Sequence, residues 1–353
     1  MIVRPFGVGL AGPALTPAER AVLDRFPPFG VILFRRNIQN APQTAALTAE
    51  IRSRGALVFV DQEGGPVDRF RDLLGPSISL REAAERGVAR QAGELAAEAC
   101  VRLGFSVDLA PVVDRGIEGA AARVLGDRCA SADPVRIGRA AGAFLSGLHS
   151  RGIGGCLKHF PGLGRATLDT HKELPRIPID RREARLDLAP FRAAQRRARA
   201  VMVSHAAGPG GVPASLSREV AHGLLRGRLG FQGAVFSDDL EMGALASFGD
   251  LPRRCVLACR AGCDLLFVCS RIEEYPDCAV AVERDVPARR RAEAASRLEA
   301  YSRHLRRIRR AVPRPRSVPR LIAAIARLRE GAPAVQRRRR MPAAAGGPAA
   351  PAR

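Results

Sequence analysis

Lysine is nearly absent from this chain of 353 residues. Only Lys158 and Lys172 occur, against 55 arginines. Long apolar runs are missing too, and none approaches the roughly 18 residues that a membrane-spanning helix needs. The chain has no Gly-x-x-x-x-Gly-Lys phosphate loop, no Ser nucleophile elbow and no His-Glu-x-x-His helix. Nucleotide, serine-hydrolase and zinc-peptidase chemistries that rest on those motifs are therefore not expected. Eight cysteines are present but scattered, without tight Cys-x-x-Cys pairs. Cys255, Cys259 and Cys263 recur every four residues and read as small buried apolar side chains rather than metal ligands. The N-terminal apolar stretch is interrupted by Pro5, Gly7, Gly9, Gly12 and Pro13. It reads as a strand rather than a signal peptide, which places the protein in the cytoplasm.

The chain does hold ample apolar material, 46% of residues, enough for a large core. Its formal charge is +22, but residues 301–353 alone carry 15 Arg and one Glu. The excess is largely a tail property. With so much Ala, Gly and Pro, the arginines read as a codon bias expressed on solvated faces. A basic tail can nevertheless hold polyanions without specificity.

Eight short apolar runs lie between amphipathic stretches: Phe6–Leu10, Gly30–Phe34, Ala56–Val60, Phe105–Val113, Gly155–Phe160, Ala200–Ser204, Ala234–Ser237 and Leu265–Cys269. Such runs suit strands buried on both faces. Thr16-Pro17-Ala18-Glu19 is a capping box that opens a helix to about residue 25. Further helices are expected over 41–54, 81–103, 133–151, 181–198, 217–228, 252–261 and 286–311. Eight strands alternating with helices indicate an α/β fold, a single (β/α)8 TIM-type barrel over residues 1–311. Residues 312–353 form a basic, Arg/Pro/Ala-rich tail. One short helix is expected over 319–330, with disorder from Gly331 onward. A doubly wound sheet is the rival, because Gly7-Val8-Gly9-Leu10-Ala11-Gly12 matches a dinucleotide fingerprint. The context opposes it: Pro13 follows the third glycine, and the second strand ends in Arg35-Arg36 rather than an acidic residue.

In such a barrel, polar residues just past the strand ends meet at one mouth. Asp61 ends the third run, Lys158-His159 the fifth, His205 the sixth and Asp238-Asp239 the seventh. A Pro/Gly-rich loop after Lys158 carries Asp169-Thr170-His171. A carboxylate two residues from an imidazole can hold its tautomer and stabilise its cation, leaving a group able to give and then take a proton. A strand-end carboxylate facing that donor suits attack on an anomeric carbon. Each feature also has a plain structural reading, as a helix cap, an Asx-turn or a buried His. Strand periodicity does not choose between Asp238 and Asp239, and His205 reads as a supporting residue of the rim.

Five ordered blocks carry a resemblance: Asp-Gln-Glu-Gly-Gly at 61–65, Gly-Asp-Arg at 126–128, Lys-His-Phe-Pro-Gly-Leu-Gly at 158–164, Asp-Thr-His at 169–171 and Ser-Asp-Asp-Leu-Glu-Met at 237–242. Together they resemble the bacterial β-N-acetylglucosaminidases of glycoside hydrolase family 3, over about residues 6–270. The resemblance implies a retaining hydrolase in which Asp238 is the nucleophile, His171 the acid/base and Asp169 its orienting partner. It implies that Asp61, Arg69, Arg128, Lys158 and His159 bind the sugar, with no cofactor and no metal. The implied substrate is terminal N-acetylglucosamine on muropeptide fragments released in cell-wall recycling. A Lys kept at 158 in so Arg-rich a chain suggests that a compact ammonium is needed there. Three positions depart from the family pattern: Pro66 stands for Arg, Asp68 for Gln and Glu241 for Ser. They are expected to alter charge and loop shape beside the sugar. A monomer acting on a small carbohydrate is expected. The alternatives are a phosphorylase on the same scaffold, or a catalytically weakened protein that binds sugar or polyanion.

Overall fold

The computed structural model describes residues 4–116, 125–165, 181–310 and 312–331. Its strands are β1 Arg4–Gly9, β2 Pro28–Leu33, β3 Leu57–Val60, β4 Val107–Asp108, β5 Gly154–Gly155, β6 Leu157–Phe160, β7 Ala200–Val203, β8 Ala234–Asp239 and β9 Leu265–Val268. All pair in parallel, in the order β5-β4-β3-β2-β1-β9-β8-β7-β6. Only Cys156 separates β5 from β6, so the two form one broken stave and the sheet has eight. The ring closes between staves four and five. Pro111 has no N–H to offer a ladder, yet Val112 pairs with Lys158, and Val113 N donates to Lys158 O at 2.7 Å. The eight apolar runs are the eight staves of a (β/α)8 barrel.

The helices that surround it are α1 Pro17–Arg25, α2 Ala41–Ser53, α3 Ala89–Leu103, α4 Pro134–Ser150, α5 Arg181–Ala194, α6 Leu251–Ala261, α7 Tyr275–Asp285, α8 Ala288–Arg309 and α9 Val318–Glu330. The capping box at Thr16 forms as expected: Glu19 N donates to Thr16 Oγ1 at 3.1 Å, and Thr16 N to Glu19 Oε2 at 2.7 Å. The helix expected over 81–103 is instead two, Leu80–Glu85 and α3, because Gly87 between them sits at φ 68. The segment Tyr275–Asp285 was not anticipated as a helix. The 217–228 segment forms a wide-turned helix over Glu219–Arg228.

The glycines of β1 serve packing. A Cβ at Gly7 would come within 2.4 Å of the Phe267 ring, and one at Gly9 within 1.8 Å of the Cys269 carbonyl oxygen. A Cβ at Gly30 would lie 2.2 Å from Phe59. Small inward residues on β1 and β2 thus make room for Phe59, Phe236 and Phe267, whose rings meet edge to face. The apparent dinucleotide fingerprint is the first barrel strand and the loop after it. α8 covers the starts of the strands, with Leu298, Tyr301 and Leu305 buried in the same cluster. The opposite mouth, at the strand ends, is left to the site.

Candidate active site

Asp61 follows β3. Asp114 ends the stretch begun by β4. Lys158 and His159 lie in β6, and Asp238 is the penultimate residue of β8. Their side chains converge at the strand ends, as the fold requires. Asp61, Glu63, Arg69, Arg128, Lys158, His159 and Asp238 line one cavity of about 310 Å³. All six of these residues picked out from the sequence meet there; Glu63 had been quoted in a motif but given no role.

One wall is a chain of alternating charge. Lys158 Nζ lies 2.6 Å from Asp61 Oδ1 and 2.6 Å from Glu63 Oε1. Arg128 grips Glu63 with both Nε and Nη2, each at 2.9 Å. Burial opposes the charge on Lys158, but Asp61 and Glu63 outweigh it and hold its pKa above the usual lysine value. Burial likewise opposes Glu63, and Lys158 with Arg128 hold its carboxyl well below the carboxylate range. Beneath the wall, Asp108 accepts from Gln62 N at 2.9 Å, and burial drives its pKa well up. Arg69 lies over the Phe34 ring, and its buried Nε meets no acceptor among the described residues. That leaves a donor for a ligand.

His159 is held by a residue that the sequence reading did not single out. Asp114 Oδ2 is 2.7 Å from His159 Nδ1, and Asp114 Oδ1 accepts from Leu163 N at 2.7 Å. Asp114 thus fixes both the ring and the start of the following loop. On the other wall, Asp238 Oδ1 accepts from Asp239 N at 2.9 Å. His205 is buried, its Nε2 2.7 Å from the Asp239 carbonyl and its Nδ1 2.7 Å from Ser215 Oγ. A carbonyl only accepts, so Nε2 carries the proton. Burial pushes the pKa of His205 down, which keeps it neutral. Partial burial would raise Asp238 as well, yet its pKa is lowered; the neighbouring His205 and His159 rings, the Asp239 N–H and Lys158 outweigh the burial. Asp239 goes the other way, to about 7, through burial and then the charges of Glu241 and Asp238.

None of the three departures lines the cavity. Asp68 turns inward and accepts from Gln62 Nε2, Phe70 N, Ser77 N and Ser77 Oγ, organising its own loop. Pro66 faces solvent. Glu241 accepts from Ser270 N at 2.6 Å and Arg271 N at 2.9 Å, pinning the loop after β9, and reaches the site only through its charge on Asp239.

Asp169 and His171 lie outside the described residues. The described residues on either side of them, Arg165 and Glu183 to Asp187, share one ion network. Arg165 Nε is 2.8 Å from Asp187 Oδ2, and Arg115 Nη1 is 2.8 Å from Glu183 Oε2 and 3.2 Å from Asp187 Oδ1. Among the described residues, no group of His, Cys, Asp or Glu is placed to hold a metal ion.

The geometry can be set beside known proteins. Residues 16–299 match the model of the glycosyl hydrolase family 3 N-terminal domain. A beta-hexosaminidase of Chromobacterium violaceum is 40% identical over 320 residues, covering 85% of this chain and 87% of that protein. NagZ from Neisseria gonorrhoeae, solved in complex with N-trifluoroacetyl-D-glucosamine, superposes with a TM-score of 0.79 at 30% identity, over 92% of this chain and 98% of the other. A family 3 β-N-acetylglucosaminidase from a Paenibacillus strain gives a TM-score of 0.83 at 28% identity, over 91% of this chain; the chain spans 66% of that protein's length. With the motif blocks gathered at one barrel mouth and most of the length matched, the chain belongs to glycosyl hydrolase family 3, as a glycoside hydrolase that groups with the β-hexosaminidases.

Proposed function

We propose that the protein is a retaining exo-β-N-acetylglucosaminidase that removes terminal N-acetylglucosamine from muropeptide fragments in the cytoplasm, acting as a monomer. The observation that carries this reading is Asp238: a strand-end carboxylate with a lowered pKa, facing a cavity whose far wall offers Lys158, Arg128 and Asp61. A volume of about 310 Å³ lies at the small end of ligand pockets and suits one sugar ring. Vicinal hydroxyls suit a carboxylate acceptor flanked by cationic donors. The names of the relatives point to the same hexosamine class.

In this mechanism Asp238 attacks the anomeric carbon as the glycosidic bond breaks, forming a glycosyl ester. His171, oriented by Asp169, protonates the departing oxygen. Water then attacks the anomeric carbon, His171 takes its proton, and Asp238 leaves as the carboxylate. Asp61, Arg69, Arg128, Lys158 and His159 hold the ring. An imidazole acid/base puts less negative charge near the incoming nucleophile than a carboxylate would, so phosphate could compete with water. Release of p-nitrophenol from its N-acetyl-β-glucosaminide, for wild type beside Asp238→Ala, with and without phosphate, tests the reading. Turnover that needs Asp238 and ignores phosphate is expected. Phosphate-dependent turnover would make the enzyme a phosphorylase, and no turnover by the folded wild type would favour a binding protein.

A further inference from the structure

At the other end of the barrel, α8 leaves a second cavity of about 300 Å³ against the starts of β7 and β8. Four guanidinium groups line it, those of Arg199, Arg297, Arg303 and Arg307, together with His304 and Tyr301; no carboxylate does. Glu299 is occupied by Arg303 at 2.8 Å, and Arg297 is matched by Asp264 at 3.2 Å. Arg199 and Arg307 have no carboxylate partner among the described residues. Arg307 Nη2 instead faces His304 Nδ1 at 3.4 Å. An arginine only donates, so this nitrogen of His304 must accept. Burial, and then Arg199 and Arg307, push His304 down to about 4. The His149 ring packs on it at 5.1 Å and is pushed to about 4 by burial and the same cations. Both imidazoles are thus held towards the neutral form, and the charges of Arg199 and Arg307 meet no carboxylate among the described residues.

Arginine is common on this surface, so its presence alone says little. Here, however, Arg199 comes from the approach to β7 and the other three from α8, about a hundred residues later, and they share one concave wall. We propose that this floor cavity binds a small phosphate-bearing anion, distinct from the sugar held at the opposite mouth. Two guanidinium forks without a carboxylate partner among the described residues match the geometry of phosphate oxygens. The cavity is small, which favours an anion with high charge for its size and has no room for a polymer duplex.

Calorimetric titration of the full chain with pyrophosphate, in low salt at neutral pH, tests this. Wild type is expected to bind at millimolar concentration or below. The Arg199→Ala/Arg307→Ala protein is expected to bind at least about tenfold more weakly, with its thermal midpoint retained. Arg307→Lys keeps the charge, loses the fork, and is expected to weaken binding several-fold. Arg136→Ala/Arg139→Ala removes the same charge from exposed positions on α4 and is expected to bind like wild type. No binding by wild type would overturn the proposal, and so would equal weakening in the α4 control, which would indicate diffuse charge. Citrate binding as tightly as pyrophosphate would overturn the phosphate assignment.

Discussion

Lys158 shows why one lysine survives in a chain that otherwise uses arginine. Its ammonium is wedged between two carboxylate oxygens at 2.6 Å each, and its side chain is 3% exposed. A planar guanidinium cannot take that place without moving Asp61 or Glu63. Lys158→Arg is therefore expected to lower kcat/KM on the aryl substrate by at least about tenfold, mostly through KM; unchanged kinetics would mean that the wall does not hold the sugar. Asp239 makes a different prediction. Its folded pKa, about 7, lies above the unfolded carboxylate value. The folded state thus binds the proton more tightly, and this contribution to stability is full below about pH 4 and lost as pH rises through 7. Asp239→Asn is expected to remove that loss, raising the thermal midpoint at pH 8 relative to wild type but not at pH 4. Parallel melting curves at all pH values would contradict it. The contrast between Asp238 and Asp239 was not legible in the sequence, because Glu241 beside Asp239 is only part of it, and the rest arises from burial and from His205, His159 and Lys158, brought together by the fold. Asp114 left a signal that went unread: it closes the fourth apolar run as Asp61 closes the third.

Strands were the most legible elements, because staves buried on both faces appear as uninterrupted apolar runs. Helix ends were legible where a cap marked them, as at Thr16, and less so where a positive φ at Gly87 broke a continuous amphipathic pattern. The Gly7–Gly12 motif shows how one pattern serves two purposes, since inward glycines beside phenylalanines look the same as a phosphate-binding turn. α9 was expected as a short basic helix, with no sign in its residues of what it touches. Leu321 and Ile325 are buried, and Ile325 and Leu328 border a small pocket shared with Gln62, Glu63 and Gly64. α9 thus lies behind the loop that carries Glu63 of the charged wall. Leu321→Ala is expected to cost about 2–4 kcal/mol, seen as a lower denaturation midpoint. Ile325→Ala is expected to raise KM more than it lowers kcat, since Glu63 holds Lys158 and Arg128 in place.

At the scale of the whole molecule, the charge is uneven, and its last arginines, Arg337–Arg340 and Arg353, lie beyond α9. Ending the chain after residue 331 keeps α9 and removes those five charges. Retention on an immobilised polyanion at low salt is expected to fall while turnover of the aryl substrate stays the same. Equal retention would show that the tail is not what holds the polyanion. The barrel followed from eight apolar runs alternating with helices and the family from motifs read in order, and six of the residues so picked out line one cavity. The acid/base pair rests on the motif alone, since Asp169 and His171 lie outside the described residues. Both halves of the mechanism can be tested in a single experiment. In His171→Ala, an activated aryl leaving group needs no proton, but the base for the second step is gone, so the glycosyl-enzyme should accumulate. Mass mapping of that protein, quenched after mixing with p-nitrophenyl N-acetyl-β-glucosaminide, is expected to find one N-acetylhexosamine on Asp238. An adduct on Asp239 or elsewhere, or release of p-nitrophenol with no adduct, would contradict the assignment of Asp238 as nucleophile.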